Sequence, residues 1–138
     1  MMSDYRSRLT PIDDAYPTCK RTLATLRIYD VDPDWVTGRI GIRPSSTQKK
    51  GEITRLPSGG TRVVPRHGWF LSSEEQVQSK DVRRHLDWLL SHLLPVKDAL
   101  RALQTVPGVL MDVNCIWWST GDGGPTLWPE QMRGLSTL

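Results

Sequence analysis

The sequence predicts an α+β domain, with helices packed on one face of a mainly antiparallel sheet and a projecting basic hairpin or loop. Three observations carry this prediction. Thr22–Asp30 and Val109–Trp118 alternate with the period of two that marks a strand. Between them, Val82, Leu86, Leu89, Leu90 and Leu93 recur at steps of three and four, which gathers them on one helix face. The order strand, helix, arm, strand, long helix, strand, helix fits helices that cover one side of a sheet.

The elements follow in chain order. Residues 1–18 are polar, unpatterned and contain Pro11 and Pro17, so they predict a flexible tail ahead of a single domain at 19–138. In the first strand Ala24, Leu26 and Ile28 share one face, and Thr25, Arg27 and Tyr29 share the other. Asp32-Pro33 is a helix start, a capping carboxylate followed by proline at the first helical position. That helix stops near Gly41, and Pro44 confirms the exit.

Residues 45–66 form a long connection with a pattern of its own. Ile53–Leu56, the turn Pro57–Gly60 and Thr61–Val64 predict a hairpin, and Gly68–Ser73 predicts a core strand. Ser79 is placed to cap the long helix, which reaches about Leu94 before Pro95 interrupts it. Val96, Ala99, Leu100 and Leu103 continue a second helical piece to about Thr105. After the Pro107-Gly108 turn comes the Val109–Trp118 strand, whose Trp117 and Trp118 must point to opposite faces. Thr120–Pro125 is a glycine-rich turn, and Pro129 opens a last helix to Leu135.

Charge is uneven along the chain. Between Arg39 and Arg66 there are seven basic residues against the single acidic Glu52, within a net charge of +3 for the whole. A local basic segment steers toward acidic partners, whether protein or nucleic acid. No apolar run approaches the roughly 20 residues needed to span a bilayer. The opening MMSDYRSRLTPIDD has no apolar core of a secretory signal, so a cytoplasmic location with no membrane partner is expected. Cys19 and Cys115 are then expected to be free thiols that pack as small hydrophobes.

Several short pieces carry a family resemblance: Leu26-Arg27-Ile28, Asp32-Pro33, Ile40-Gly41-Ile42-Arg43-Pro44, Lys50-Gly51 and Gly68-Trp69. Further along stand His85-Leu86-Asp87-Trp88-Leu89-Leu90, Cys115-Ile116-Trp117-Trp118-Ser119, Gly123-Gly124-Pro125, Leu127 and Pro129-Glu130. In their order and spacing, over about residues 22–135, they resemble an uncharacterised, largely bacterial family, domain of unknown function 4279. The resemblance implies no agreed activity. Some relatives resemble small accessory or immunity proteins of bacterial toxin systems, which is association by company and not by chemistry.

Candidate chemistry is sparse. On the long helix Asp81, His85, Trp88 and His92 lie along one flank, but His85 and His92 are two turns, roughly 10 Å, apart and too far to share a metal ion. His67 has Ser72 and Ser73 downstream without any nucleophile motif. Thr120–Pro125 has the spacing of neither a phosphate loop nor a dinucleotide fingerprint. No catalytic residue, metal or cofactor is expected.

The second face of the sheet is the better candidate. If the first and last long strands are neighbours, Arg27, Tyr29, Asp112, Asn114 and Trp118 form one polar-aromatic surface, rich in the residue types that dominate protein interfaces. The basic segment adds Lys49, Lys50, Arg55 and Arg62. The expected function is a non-enzymatic protein-binding module, in its most concrete form an immunity or accessory protein that occludes a toxin. The alternative is nucleic-acid binding through residues 39–66, where seven positive side chains lack the interleaved aromatics of base-stacking surfaces.

Overall fold

The computed structural model describes residues 10–138, so the predicted tail at residues 1–9 lies outside the described residues. The chain is α+β, and its main sheet is antiparallel throughout. The sheet has four strands: β1 (Cys19–Tyr29), β2 (Ser46–Gln48), β5 (Gly68–Ser72) and β6 (Leu110–Ser119), in the order β2-β5-β1-β6. The long β1 sits inside, with Leu26 opposite both Leu71 and Val113, and Ile28 opposite both Trp69 and Met111. Directly opposed residues share a face, so this register gathers the apolar side of every strand.

That side carries the core. Ala24, Leu26, Ile28, Trp69 and Leu71 are buried against Val36 and Ile40 of α1 (Pro33–Ile40) and against Val82, Leu86, Leu89 and Leu93 of α2 (Val82–Leu93). Leu100 and Leu103 of α3 (Lys97–Gln104) complete it. Trp69 is fully buried yet satisfied, because its Nε1–H donates to Thr37 Oγ1 at 3.0 Å.

Helix ends follow local chemistry. Asp32 accepts the Asp34 N–H at 2.9 Å, Pro33 begins α1, and Gly41 ends it in the left-handed region at φ 75°. Asp81, and not the expected Ser79, caps α2: its carboxylate accepts the Arg83 N–H at 3.1 Å. The Ser79 hydroxyl instead accepts the Asp81 N–H, two residues too early for a cap. Past Leu93 a 3₁₀ turn, Leu94–Val96, carries Pro95 and redirects the chain into α3. Helix α4 (Pro129–Thr137) closes on α2 at Gly134, where an added Cβ would lie 2.6 Å from Leu90 Cδ1.

Two departures from the sequence reading have simple causes. Strand β1 begins at Cys19, three residues early, because β6 extends far enough to pair with it there. Strand β2 is three polar residues held by the backbone of Gly68–Phe70, with no hydrophobic pattern to announce it. The expected hairpin forms as β3 (Ile53–Arg55) and β4 (Thr61–Val63), a separate two-stranded sheet whose residues are all exposed. Among the described residues no helix is long and apolar enough to cross a membrane.

Candidate interaction face

The side of the main sheet opposite the helices receives no helix among the described residues, and it collects the predicted surface. Arg27 stands directly opposite Asp112 on β6 and Phe70 on β5, and Arg21 stands opposite Trp118. Thr25 faces Asn114, and Tyr29 faces Leu110 and Gly68. Arg27, Tyr29, Asp112, Asn114 and Trp118 therefore share one face. From Arg27 to Arg21 is six residues, so the surface runs about 20 Å along the strands.

Each arginine of the face is ion-paired. Arg27 Nε donates to Asp112 Oδ1 at 2.7 Å and Nη2 to Oδ2 at 2.8 Å, a two-pronged pair. These bonds hold the Asp112 carboxyl below its ordinary range and raise Arg27. Arg66 Nε donates to Asp30 Oδ1 at 2.9 Å, and its hydrogen bonds lower Asp30 likewise. Asp30 has φ 67°, a left-handed conformation that a short polar residue tolerates. Arg21 pairs with Glu74.

The same guanidiniums approach aromatic rings. Arg66 Cζ lies 4.9 Å and Arg27 Cζ 5.8 Å from the Tyr29 ring centre. Trp118 is 53% exposed, with Arg21 Cζ at 5.6 Å and Lys20 Nζ at 6.0 Å. Phe70 meets Tyr29 edge-on at 5.5 Å and covers bare Gly68, where an added Cβ would sit 2.5 Å from Phe70 Cζ. Phe70 and Arg66 were missing from the sequence-derived surface. Their signals were weak: Phe70 alternates out of a five-residue strand, and Arg66 sits in a connection.

The remaining predicted residues lie elsewhere. Lys49 Nζ donates to Asp34 of α1 at 2.6 Å, and the Lys50 N–H donates to His67 Nδ1 at 3.1 Å. Arg55 and Arg62 sit in the hairpin on opposite faces, since Arg62 opposes Thr54 while Arg55 opposes Thr61. Neither has an acidic partner among the described residues. Both cysteines are free; Cys19 is buried as expected and burial pushes its thiol up, whereas Cys115, expected to pack as well, is exposed because β6 is the edge of the sheet.

The indoles of β6 part as alternation requires. Trp117 packs edge-on against Tyr16 at 5.6 Å on the helix side, and Trp118 takes the open face. The turn after them is tight: Gly123 has φ 128°, and a Cβ there would lie 2.6 Å from the Tyr16 hydroxyl.

Residues with catalytic side-chain types are engaged in structure. His67 Nδ1 accepts a backbone N–H, as above. His92 Nδ1 lies 2.9 Å from the Trp88 carbonyl oxygen. His85 and Ser73 are buried together: Ala24 N–H donates to Ser73 Oγ at 3.0 Å, and that oxygen lies 2.7 Å from His85 Nδ1. The Ser79 carbonyl can only accept, so His85 Nε2–H donates to it at 2.7 Å, and in the neutral ring Nδ1 accepts a hydrogen bond from the Ser73 hydroxyl. Among the described residues no group of three or more His, Cys, Asp or Glu side chains is placed to hold a metal ion.

A second buried cluster organises the chain termini of the domain. Asp81 and Arg83, both nearly inaccessible, form a two-pronged pair with Nε–Oδ1 at 2.9 Å and Nη2–Oδ2 at 2.6 Å. Arg83 also donates to the Thr10 and Pro11 carbonyls at 2.6 and 3.0 Å, and its guanidinium lies 4.5 Å from the Trp128 ring centre. The Asp13 N–H donates to Asp81 Oδ2 at 2.9 Å. Residues 10–13, read from composition as part of a loose tail, are thus bonded to the start of α2.

No curated protein and no solved structure matches the chain. A family model described as a domain of unknown function, DUF4279, matches residues 17–138, so the chain belongs to that family.

Proposed function

We propose that the chain is a non-enzymatic protein-recognition module whose contact surface is the open face of the four-stranded sheet. The observation that carries this reading is a sheet face that receives no helix among the described residues and bears Trp118, Tyr29, Phe70 and the Arg27–Asp112 pair. Tryptophan, tyrosine and arginine dominate binding energy at protein interfaces. Arg27, fixed by two hydrogen bonds, loses little further freedom on binding, which lowers the cost of association. Pairing each arginine with a carboxylate leaves the face nearly neutral, which suits a protein more than a phosphate backbone. The exposed cations Lys50, Arg55 and Arg62 favour a partner with acidic groups. The module acts in the cytoplasm, and an immunity or accessory protein that occludes a toxin is the specific role put forward.

The test is capture of a partner from the native host on the immobilised chain, repeated with Trp118→Ala combined with Arg27→Ala. One stoichiometric protein, lost from the double variant while the thermal melt stays nearly unchanged, supports the reading. Full capture by the double variant rejects it. A second reading, nucleic-acid binding, rests on Arg55 and Arg62, which have no acidic partner among the described residues. It requires affinity for DNA or RNA that falls steeply with salt and weakens in Arg55→Ala with Arg62→Ala.

A further inference from the structure

We propose that β6 pairs antiparallel with β6 of a second copy of this chain, joining two four-stranded sheets into one. Strand β6 is ten residues long and has a sheet neighbour on one side only among the described residues. A strand edge presents unpaired N–H and C=O groups, and proteins that stay monomeric blunt such edges with lysine, proline, bulges or short strands. Leu110–Ser119 holds no lysine or proline, and the one register shift of its ladder lies in β1, between Cys19 and Arg21, opposite the far end of β6. The single charge of β6, Asp112, is already engaged by Arg27, and the opposite sheet edge, β2, is only three residues long.

A second copy is the occupant because the strand is self-complementary. A two-fold axis at Asn114 overlaps β6 with itself over nearly its full length. It sets Leu110 beside the partner copy's Trp118 on the open face, so that two of the exposed large apolar residues flank each other edge to edge while the outward side of the indole stays on that face. The two Asp112 residues are then offset by four positions, about 13 Å, so like charges do not meet. On the helix side the same register seats the incoming Trp117 beside Met111. There an apolar groove of about 450 Å³, lined chiefly by Leu100, Met111, Val113, Leu135 and Leu138, runs along the edge. Isologous pairing of this kind closes on itself and stops at a dimer.

Sedimentation equilibrium of the full chain tests the proposal. The expected mass is twice the 15.7 kDa of one copy. Cys115→Lys, which places a cation at the exposed edge beside the axis, should weaken the dimer at least tenfold while the circular dichroism is retained. Asn114→Cys, in a Cys115→Ser background, should cross-link to its own copy on mild oxidation, because residue 114 faces itself across the axis. A monomer over a wide concentration range overturns the proposal, as does a dimer that persists in a folded Cys115→Lys protein. If the lysine variant fails to fold, the Asn114→Cys cross-link decides: its presence supports the edge and its absence rejects it.

Discussion

Ser73 and His85 meet at 2.7 Å in the interior, the separation at which a hydroxyl nucleophile and its base stand in hydrolases, yet neither touches solvent. Their bonds satisfy the Ala24 N–H of β1 and the Ser79 carbonyl ahead of α2, so the pair joins strand to helix. Ser73→Ala leaves a buried N–H and a ring nitrogen without partners and should cost about 2 kcal/mol. At about 4 °C per kcal/mol, a melt lowered by roughly 8 °C is expected. An unchanged melt would show that the pair carries no stability.

The buried ion pair predicts a pH dependence. Burial pushes the Asp81 carboxyl upward, but hydrogen bonds from Arg83 and from the Asp13 and Arg83 N–H groups outweigh it and leave the folded value lowered. A lowered folded value means the stabilisation is complete above the unfolded value, about 3.9. It is lost as pH falls through the folded one. Asp81→Asn strands Arg83 and should cost about 3 kcal/mol at neutral pH. Urea midpoints of the two proteins should begin to draw together as pH falls below about 4 and meet only once it has passed the lowered folded value; a gap that is independent of pH would contradict the assignment.

The Arg27–Asp112 pair should behave differently, because both side chains are a third or more exposed. A double-mutant cycle with Arg27→Ala and Asp112→Ala should give a coupling of about 0.5 kcal/mol, reduced by added salt. A coupling of several kcal/mol would mark the pair as a structural fastener and weaken its claim to a binding role.

Gly123→Ala meets two obstacles at once, a backbone at φ 128° and the Tyr16 hydroxyl 2.6 Å from the new Cβ. The expected loss is about 2 kcal/mol. Gly124→Ala, where nothing lies within 4 Å, is the matched control and should be nearly silent. Equal melts for the two variants would dissociate the turn from Tyr16.

Much of this architecture is legible in the chain because period and register are local or simply related. The alternation of Thr22–Asp30 and Val109–Trp118 separates Ala24, Leu26 and Ile28 from Arg27 and Tyr29 as the structure does, and adjacency of the two strands puts Arg27 beside Asp112. Buried Leu23 and exposed Cys115, by contrast, depend on what covers each end of the sheet. Strand β2 was invisible because backbone bonds to Gly68–Phe70 hold it, whatever its side chains. Ser79 and Asp81 are both good capping residues two positions apart; Asp81 caps α2, and its carboxylate also pairs with the buried Arg83, a partner that local capping rules do not reveal. The Ser73–His85 contact depends on how α2 crosses β1, which no sequence period encodes.

Arg83 binds carbonyls at residues 10 and 11, the carboxylate that caps α2, and the face of Trp128 that leads into α4. Segments more than a hundred residues apart along the chain therefore share one fastening. In amide hydrogen exchange the early stretch around Asp13 and the last helix should open together as a single cooperative unit, and Arg83→Met should loosen both at once.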